Sequence, residues 1–267
     1  MNWKKYLYDW KLFIKILTII VSLYAMIQTF VAGANQLNGW NKDSTFLLEN
    51  VHGLWYSLNP AMFLWTGISY FSIETNIIII VLLILLIIFH NQENENKYSN
   101  YYFRLATVVY ASTIFITYFL ALLPIQAQNN KIGILDNMTF VSSILLHLIV
   151  PLGVIVLFLV TPSSQPVTYK QLAFKKLPYM LIFPFLFFIN ALIKGSLVGE
   201  VVFHDGKWVI NYSYPYQFLN FKEGLGEMIG ISIGILVVIV SFIFLFCWLN
   251  NLLSIRKINQ LSAPDNW

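Results

Sequence analysis

A short polar segment interrupts a long apolar stretch of this chain. The segment is Tyr70–Asn76 (YFSIETN), and the apolar stretch continues from Ile77 to Phe89. Its serine and threonine hydroxyls, its carboxyl and its amide are costly in hydrocarbon unless they have partners or a function. His147 stands in a second apolar stretch. A histidine next to a serine or threonine provides a general base and a hydroxyl nucleophile, which is the minimum for acyl transfer or ester hydrolysis.

Helical spacing indicates which of these groups face the same way. Ser72, Thr75 and Asn76 are spaced i, i+3 and i+4, so they share one face of a helix, while Glu74 points elsewhere. The hydroxyl of Ser72 or of Thr75 is the candidate nucleophile, with His147 as its base. An ordinary structural interpretation stays open. Hydroxyls in membrane helices mostly bond back to a carbonyl one turn away, and a lone histidine often bonds a neighbouring helix.

A third polar group is needed to orient the imidazole or to bind an oxyanion. The candidates in the apolar stretches are Glu74, Asn76 and Asn190. An asparagine in a membrane helix more often joins helices, so Asn190 has that structural alternative. An ionisable group at depth is a functional hypothesis by default. Glu74 is therefore expected to be protonated, or paired with His147 or with the region of Lys194.

Depth in the membrane brings the same residues together. Ser72, His147 and Asn190 stand eight or nine residues inside the predicted spans, which places each about 12–13 Å below one edge of the bilayer at a helical rise of about 1.5 Å. Glu227 lies close to the same edge. Because polar residues scattered at random need not share a depth, the sequence predicts one site in the outer half of the bundle.

Three further patterns carry local predictions. Pro151 cannot donate to the carbonyl of His147, so a kink is expected there. Gly230 and Gly234 form a pair of small residues that predicts close helix packing. No metal or cofactor is predicted, because the apolar stretches hold no histidine pair at ligand spacing and no cysteine cluster, and the chain has no glycine-rich phosphate loop.

Composition defines the class of protein. Of the 267 residues, 58% are hydrophobic and only 10% are charged, against about 25% charged in a soluble domain. The mean hydropathy is +0.69. We therefore predict an all-α integral membrane protein, a single domain over 1–267. Its six helices are expected near 12–33, 63–90, 101–124, 139–161, 178–198 and 225–251, each long enough to cross about 30 Å of hydrocarbon.

The basic residues predict the orientation of these spans. With a cytoplasmic N-terminus, eleven of the sixteen Lys and Arg residues fall on the inside and five on the outside, as the positive-inside rule requires. Both termini are therefore expected to be cytoplasmic, in a multi-pass protein of the cell membrane. The same spread of short basic clusters gives no nucleic-acid signal. The single cysteine, Cys247, excludes an internal disulfide. Richness in Ile, Asn, Lys and Phe is typical of an AT-rich bacterial genome.

Three short motifs resemble those of a known family. They are Tyr70–Asn76, then His147 with Pro151, then Tyr214–Asn220 (YPYQFLN) before the last span. In order, spacing and span count the chain resembles the androgen-induced and androgen-dependent six-pass membrane proteins along nearly its whole length, and it looks closest to their prokaryotic six-helix relatives. The resemblance implies a six-helix fold.

The same resemblance implies a reaction. The eukaryotic members hydrolyse fatty acid esters of hydroxy fatty acids with an intramembrane threonine and a histidine. It places the nucleophile at Ser72, with Thr75 three residues on, and the base at or next to His147. Tyr214 and Tyr216 become candidates for contacting the substrate. Two features depart from the family pattern: a serine stands at the nucleophile position, and the His-to-Pro spacing is one residue shorter.

These observations predict an intramembrane Ser/Thr–His hydrolase of lipid fatty acyl esters, without a cofactor. Membrane lipids are the expected partners, with a fatty acyl ester as substrate, and nothing in the chain predicts an oligomeric state. The alternative is a non-catalytic bundle that binds a lipid or small hydrophobe, or that scaffolds a partner. A transporter ranks lower, because the inner half offers few polar residues beyond Asn250, Asn251 and Ser254.

Overall fold

Six long apolar helices form the body of the protein. The computed structural model describes residues 9–43, 65, 67–92, 96–124, 137–197, 199–204, 207–212 and 214–262. Within these ranges six helices are long and apolar enough to cross a membrane, which confirms the predicted multi-pass helical architecture. Numbered in chain order, spans 1 to 6 are Trp10–Val31, Phe71–Ile88, Tyr101–Leu120, Phe140–Val160, Tyr169–Leu197 and Gly224–Gln260.

The helices depart from the simple six-rod picture at several points. The first helix continues to Asp43, so the loop predicted to begin at residue 34 begins in a helix, and residues 44–62 lie outside the described residues. The helical segments are Trp10–Asp43, Phe71–Ile88, Tyr101–Thr117, Asn137–Ile144, Val150–Val160, Tyr169–Gln171, Leu177–Leu197 and Phe221–Ser262, with π-helical turns at Tyr118–Leu122, Leu145–Ile149 and Leu172–Lys176 and 3-10 turns at His90–Gln92 and Gln217–Leu219.

A β-hairpin, which the sequence pattern does not predict, joins spans 5 and 6. Strand β1 (Gly199–His204) pairs antiparallel with strand β2 (Lys207–Tyr212), from Gly199 opposite Tyr212 to His204 opposite Lys207. We call the end of the bundle that carries this hairpin the hairpin end. The opposite end, where span 1 begins and span 6 ends, is the terminal end.

Span 3 is the central helix of the bundle. In the most apolar part of each span, 67% of the residues of span 3 are buried, against 17% in span 6, and span 3 packs against spans 2, 4, 5 and 6. Leu105, Val108 and Val109 are completely buried, and the core around them includes residues of spans 2, 4 and 6. In a bilayer the apolar surfaces gain little by leaving lipid, so van der Waals packing and hydrogen bonds between helices hold such a core together.

The irregularity predicted beside Pro151 is present as a π-helical turn. The turn Leu145–Ile149 stands between two α-helical segments and is followed directly by Val150 and Pro151. A proline has no N–H for the ordinary i to i−4 bond, so the backbone before it is free to take the wider spacing of a π turn. The turn changes the direction in which the side chains of span 4 point, including that of His147.

Close helix packing occurs at other glycines than the predicted ones. A Cβ added at Gly230 or Gly234 would meet nothing within 4 Å, so the predicted packing there is wrong. At Gly153 the same atom would lie 2.6 Å from the Thr18 hydroxyl, and at Gly195 it would lie 2.1 Å from the ring of Tyr214. Gly230 and Gly234 have the spacing of a helix-packing pair, but they are exposed, and no neighbouring helix packs against them among the described residues.

At the terminal end a chain of hydrogen bonds ties span 1 to the end of span 2. The Lys15 ammonium donates to the Leu86 carbonyl and to His90 Nδ1, each at 3.2 Å. An ammonium only donates, so Nδ1 accepts and His90 Nε2 carries the proton that faces Asp9 Oδ2 at 2.8 Å. Burial alone would raise the pKa of Asp9, but the Lys11 backbone N–H and His90 outweigh it and hold that pKa below its ordinary value.

Spans 3, 4 and 6 are tied at the same end. Arg104, only 3% exposed, donates to the carbonyl and the hydroxyl of Thr161. The buried Asn250 accepts from the Ser163 N–H at 2.9 Å and donates to the Ser163 hydroxyl at 2.8 Å. Asn251 bonds both backbone groups of Val167, at 2.7 and 2.9 Å. The polar residues of the terminal end therefore fix the ends of the helices and the loop after span 4.

Candidate functional site

Asn76 joins three spans in the hairpin half of the bundle. It is completely buried, and its amide oxygen accepts from the Ser22 hydroxyl of span 1 at 3.0 Å. Its amide nitrogen donates to the Ser72 carbonyl at 2.7 Å and reaches the Leu146 carbonyl of span 4 at 3.5 Å. Both ends of the side chain are thus engaged. Ser22, which the sequence does not single out, anchors the amide in its orientation.

Thr75 is one of two helical serine or threonine residues among the described residues whose buried hydroxyl is unpaired, the other being Ser232 of span 6. Thr75 is completely buried, and its Oγ1 has no hydrogen-bond partner. Ser72 is 6% exposed, and its hydroxyl makes no hydrogen bond in the described part of the chain. Elsewhere a helical hydroxyl regularly donates to the carbonyl four residues earlier, as at Thr29, Ser69, Thr107, Ser112, Thr113, Thr117, Thr161, Ser196 and Ser241.

His147 is held in one tautomer by its own helix. Its Nδ1 lies 2.7 Å from the Ser143 carbonyl, and a carbonyl only accepts, so Nδ1 carries the proton and Nε2 keeps a lone pair. The residue is partly buried, in the π-helical turn Leu145–Ile149. Single π turns inside α-helices are frequent at functional sites. The arrangement leaves Nε2 in the state that a general base or a hydrogen-bond acceptor requires.

Tyr118 is a residue of this site that the sequence does not reveal. Its ring stacks on the His147 imidazole with centroids 4.3 Å apart and planes at 19°. It is 1% exposed, and its hydroxyl has no hydrogen-bond partner. It begins a second π-helical turn, Tyr118–Leu122, in span 3. In the sequence it is one aromatic residue among many in an apolar stretch, and only the packing of spans 3 and 4 gives it a role.

The predicted nucleophiles and base lie on adjoining turns without touching. The contact between Asn76 and Leu146 joins the turn that carries Thr75 to the turn that carries His147. Among the described residues no hydrogen bond connects His147 with the hydroxyl of Ser72 or Thr75. The catalytic pairing stays a prediction. It requires the hydroxyl oxygen and Nε2 to approach to about 2.6–3.2 Å, a contact that often tightens only when substrate is bound.

A second polar group lies between spans 2 and 5. Asn190 accepts from the Trp65 indole at 3.3 Å and donates to the Glu74 carboxyl at 3.4 Å. Glu74 is partly buried and, within the described residues, pairs with neither His147 nor Lys194. Lys194 stands one turn after Asn190, is completely buried, and has no hydrogen-bond partner for its ammonium. The structure thus brings Glu74 and Asn190 together, whereas the sequence points to protonation of Glu74 or to a pairing with His147 or the region of Lys194.

Tyr214 and Tyr216 of the third motif lie in the segment that follows the hairpin, and they border this region. The Tyr216 hydroxyl lies at the backbone N–H groups of Phe71 and Ser72, which begin span 2. Burial raises the pKa of Tyr216, so the phenol stays protonated. The Tyr214 ring occupies the space that Gly195 leaves open. Both tyrosines pack in one apolar cluster with span 5, next to the candidate site residues of span 2.

No metal cluster is found in the part of the chain that the structure describes, since no three His, Cys, Asp or Glu residues come together there. Comparisons of the chain with protein-family models, with curated proteins and with solved structures find no match. The resemblance to the androgen-induced and androgen-dependent proteins therefore rests on the three motifs alone.

Proposed function

We propose that the protein is an intramembrane hydrolase of lipid fatty acyl esters, with His147 as the base and Thr75 or Ser72 as the nucleophile. The observation that carries the proposal is the buried Thr75 hydroxyl without a partner, next along the helix to an asparagine that contacts the turn of His147. Leaving a buried hydroxyl unpaired costs about 1–3 kcal/mol. Because this hydroxyl also lies beside the turn of His147, we infer that it has a role other than stability.

The reaction needs few groups. His147 Nε2 takes the hydroxyl proton as the threonine or serine oxygen attacks the ester carbonyl, and the Ser143 carbonyl holds the Nδ1 proton of the resulting imidazolium. The tetrahedral intermediate collapses with loss of the alcohol, which receives the proton from Nε2. A water molecule, deprotonated by the same nitrogen, attacks the acyl-enzyme carbonyl; the acid leaves, and the threonine or serine oxygen takes the proton back from Nε2. The Tyr118 hydroxyl, a free buried donor, is the proposed donor to the oxyanion.

The substrate follows from the surroundings. We expect the apolar faces of the spans beside His147 to contact the acyl chains, which would enter from the membrane. The polar part of the substrate would meet Glu74, Asn76, Asn190, Tyr214 and Tyr216 at the hairpin end. The resemblance to hydrolases of fatty acid esters supports this assignment. The rival function, a non-catalytic bundle that binds a lipid, is favoured by the lack of a hydrogen bond from His147 to either hydroxyl.

An experiment on purified protein separates the two functions. Wild-type protein is expected to react with a fluorophosphonate probe and to hydrolyse members of a panel of lipid esters. His147→Ala should abolish both, because base and nucleophile act as a unit. Ser72→Ala and Thr75→Val identify the nucleophile, since only one of them should abolish labelling. The matched control is Thr113→Val, a buried threonine that bonds back to Val109. If well-folded wild-type protein gives neither adduct nor turnover, the binding function replaces the enzyme.

The proposed site lies in the outer half of a cell-membrane protein whose termini are both cytoplasmic. This orientation is supported by the basic residues, eleven of which fall on the side of the terminal end. Cysteine at Asp205, between the hairpin strands, should react in intact cells with a thiol reagent that does not cross membranes. Cysteine at the exposed Ser164 should not. The native Cys247 is buried and contributes little background. Labelling at Ser164 but not at Asp205 would show that the orientation is the opposite of the proposed one.

A further inference from the structure

A polar groove opens at the terminal end of the bundle, far from the hairpin end that carries His147. It has a volume of about 320 Å³. Tyr101 and Tyr102 of span 3 form one wall, and the loop from Ser163 to Thr168, with Gln171 of span 5, forms the other. Most of the groups on these walls are hydroxyls, amides and backbone atoms, unlike the apolar faces of the spans. A groove of this size accommodates the polar headgroup of a lipid.

The loop wall of this groove is fixed by span 6. Asn250 bonds the backbone and the hydroxyl of Ser163, and the Ser254 hydroxyl donates to the Ser163 carbonyl at 2.9 Å. Asn251 holds both backbone groups of Val167. Three side chains of one helix thus keep the loop in a single conformation. A site that is already formed loses less conformational entropy when a ligand binds.

The surroundings of the groove are positively charged. Residues 161–176 contain three lysines and no Asp or Glu. The Lys176 ammonium lies over the Tyr102 ring, 4.9 Å from its centroid, and this contact keeps the charge at the wall of the groove. Lys170 precedes Gln171 in the first turn of span 5. A ligand that complements this composition has a negative group for the lysines and hydroxyls for the serine, threonine and glutamine side chains.

The position of the groove identifies the ligand class. It lies where span 3 begins at Tyr101, span 4 ends at Val160 and span 5 begins at Tyr169, which is the level of the lipid headgroups. We propose that this groove is a binding site for an anionic phospholipid with a hydroxylated headgroup, of the phosphatidylglycerol type. The phosphate lies at Lys176, and the headgroup hydroxyls bond the side chains of Thr168 and Gln171.

Native mass spectrometry of the delipidated protein in detergent tests this site. The protein is mixed with equal amounts of phosphatidylglycerol and phosphatidylcholine that carry the same acyl chains. We expect the protein to retain phosphatidylglycerol preferentially. Lys176→Gln should reduce that retention about fivefold, the effect of one lysine close to an anionic headgroup. Gln171→Glu, which places a carboxylate in the groove, should abolish the preference without altering Lys176. Lys257→Gln, an exposed charge at the end of span 6, is the control and should have no effect.

The other possible outcomes contradict the proposal of a phospholipid site in this groove. Equal retention of both lipids by the wild type excludes headgroup recognition. An equal loss in Lys176→Gln and Lys257→Gln indicates general charge attraction rather than this groove. Displacement of the lipid by millimolar inorganic phosphate alone would show a phosphate site without lipid specificity. Because Lys176 and Gln171 are far from the polar residues of the hairpin end, both variants should keep ester turnover if the proposed hydrolase function holds.

Discussion

The two ends of the bundle differ in whether their buried polar side chains have hydrogen-bond partners. At the terminal end, buried Lys15, Arg104 and Asn250 each bond a backbone carbonyl, an N–H or a side chain of another segment. In the hairpin half, Thr75, Tyr118 and Lys194 are as deeply buried, yet their polar atoms have no partner. The same bilayer surrounds both ends. The buried polar groups named at the terminal end are thus paired within the protein, whereas those named in the hairpin half keep an unpaired donor or acceptor, which supports the proposed function there.

Some buried polar atoms do not follow this difference between the two ends. Among the described residues, six buried side chains have a polar atom without a partner, and four of them lie in the hairpin half. The other two, Ser99 and Tyr101, lie at the start of span 3. Tyr101 lines the groove proposed as a lipid site. Ser99 and, in the hairpin half, Ser232 lie in neither proposed site, so an unpaired buried atom does not by itself mark a site.

Arg104→Ala should give the largest loss of stability. The substitution removes a buried guanidinium and leaves the Thr161 carbonyl and hydroxyl without that donor. Hydrogen bonds from charged groups contribute about 1.5–3 kcal/mol each to the free energy of unfolding, so a loss of about 3 kcal/mol is expected. Unfolding by denaturant in a fixed detergent measures it. A loss under about 0.5 kcal/mol would mean that the pairing at the terminal end is not structural.

Gly195→Ala should destabilise the hairpin end by a smaller amount. The new Cβ would lie 2.1 Å from the Tyr214 ring, so the ring must move, at about 1–3 kcal/mol. Gly230→Ala is the matched control, because its Cβ meets nothing within 4 Å, and it should leave the midpoint of thermal unfolding unchanged or slightly higher. Equal destabilisation by both would show that span 6 is packed against a surface at Gly230.

Thr75→Val should leave stability unchanged or raise it by about 1 kcal/mol, since it removes an unpaired buried hydroxyl and keeps the shape of the side chain. Thr113→Val removes a hydroxyl that bonds the Val109 carbonyl at 2.9 Å, and it should lower stability by about 0.5–1 kcal/mol. The two variants are compared by thermal unfolding in the same detergent. A marked loss in Thr75→Val would indicate a hidden structural partner and weaken the contrast.

Acid should weaken the terminal end slightly. The folded-state pKa of Asp9 lies below its ordinary value, so its contribution is present above the unfolded-state pKa and is lost as the pH falls through the folded-state pKa, below about 4. Asp9 is 28% exposed, and a partly exposed pair contributes less than about 1 kcal/mol. Unfolding of wild type and Asp9→Asn at pH 7 and pH 3 should differ at pH 7 only. An equal difference at both values would contradict the pairing.

Sequence periodicity predicts the part of the fold that hydrophobicity controls. The six spans follow from runs of apolar residues, and the irregular turn before Pro151 follows from the missing proline N–H. The hairpin over 199–212 is not predicted, because these residues fall between the fifth and sixth apolar runs, where hydrophobicity alone specifies no element. The glycines of span 6 were expected to pack, yet spacing alone cannot tell whether a small-residue face has a neighbouring helix.

The candidate site, too, can be predicted only in part from the sequence. Depth along a helix predicts that Ser72, His147 and Asn190 lie at one level, because rise per residue is nearly constant, but it does not predict that Asn190 pairs with Glu74. The rotation of each helix and the rotamer of each side chain depend on packing. Those two variables place the Tyr118 ring on His147 and engage Asn76 with Ser22, and neither contact has a signature in the sequence. The hydrogen bonds of Lys15, Arg104 and Asn250 at the terminal end depend on the same packing and likewise have no signature in the sequence.

The position of a covalent adduct tests the central claim most directly. Wild-type protein is treated with a fluorophosphonate probe, digested, and its modified peptide sequenced by mass spectrometry. We predict a single adduct in the peptide that contains Ser72 and Thr75, at the end where buried polar groups lack partners, and no adduct in His147→Ala. An adduct on Ser163 or Ser254, in the paired network of the terminal end, or no adduct on folded protein, would contradict the account.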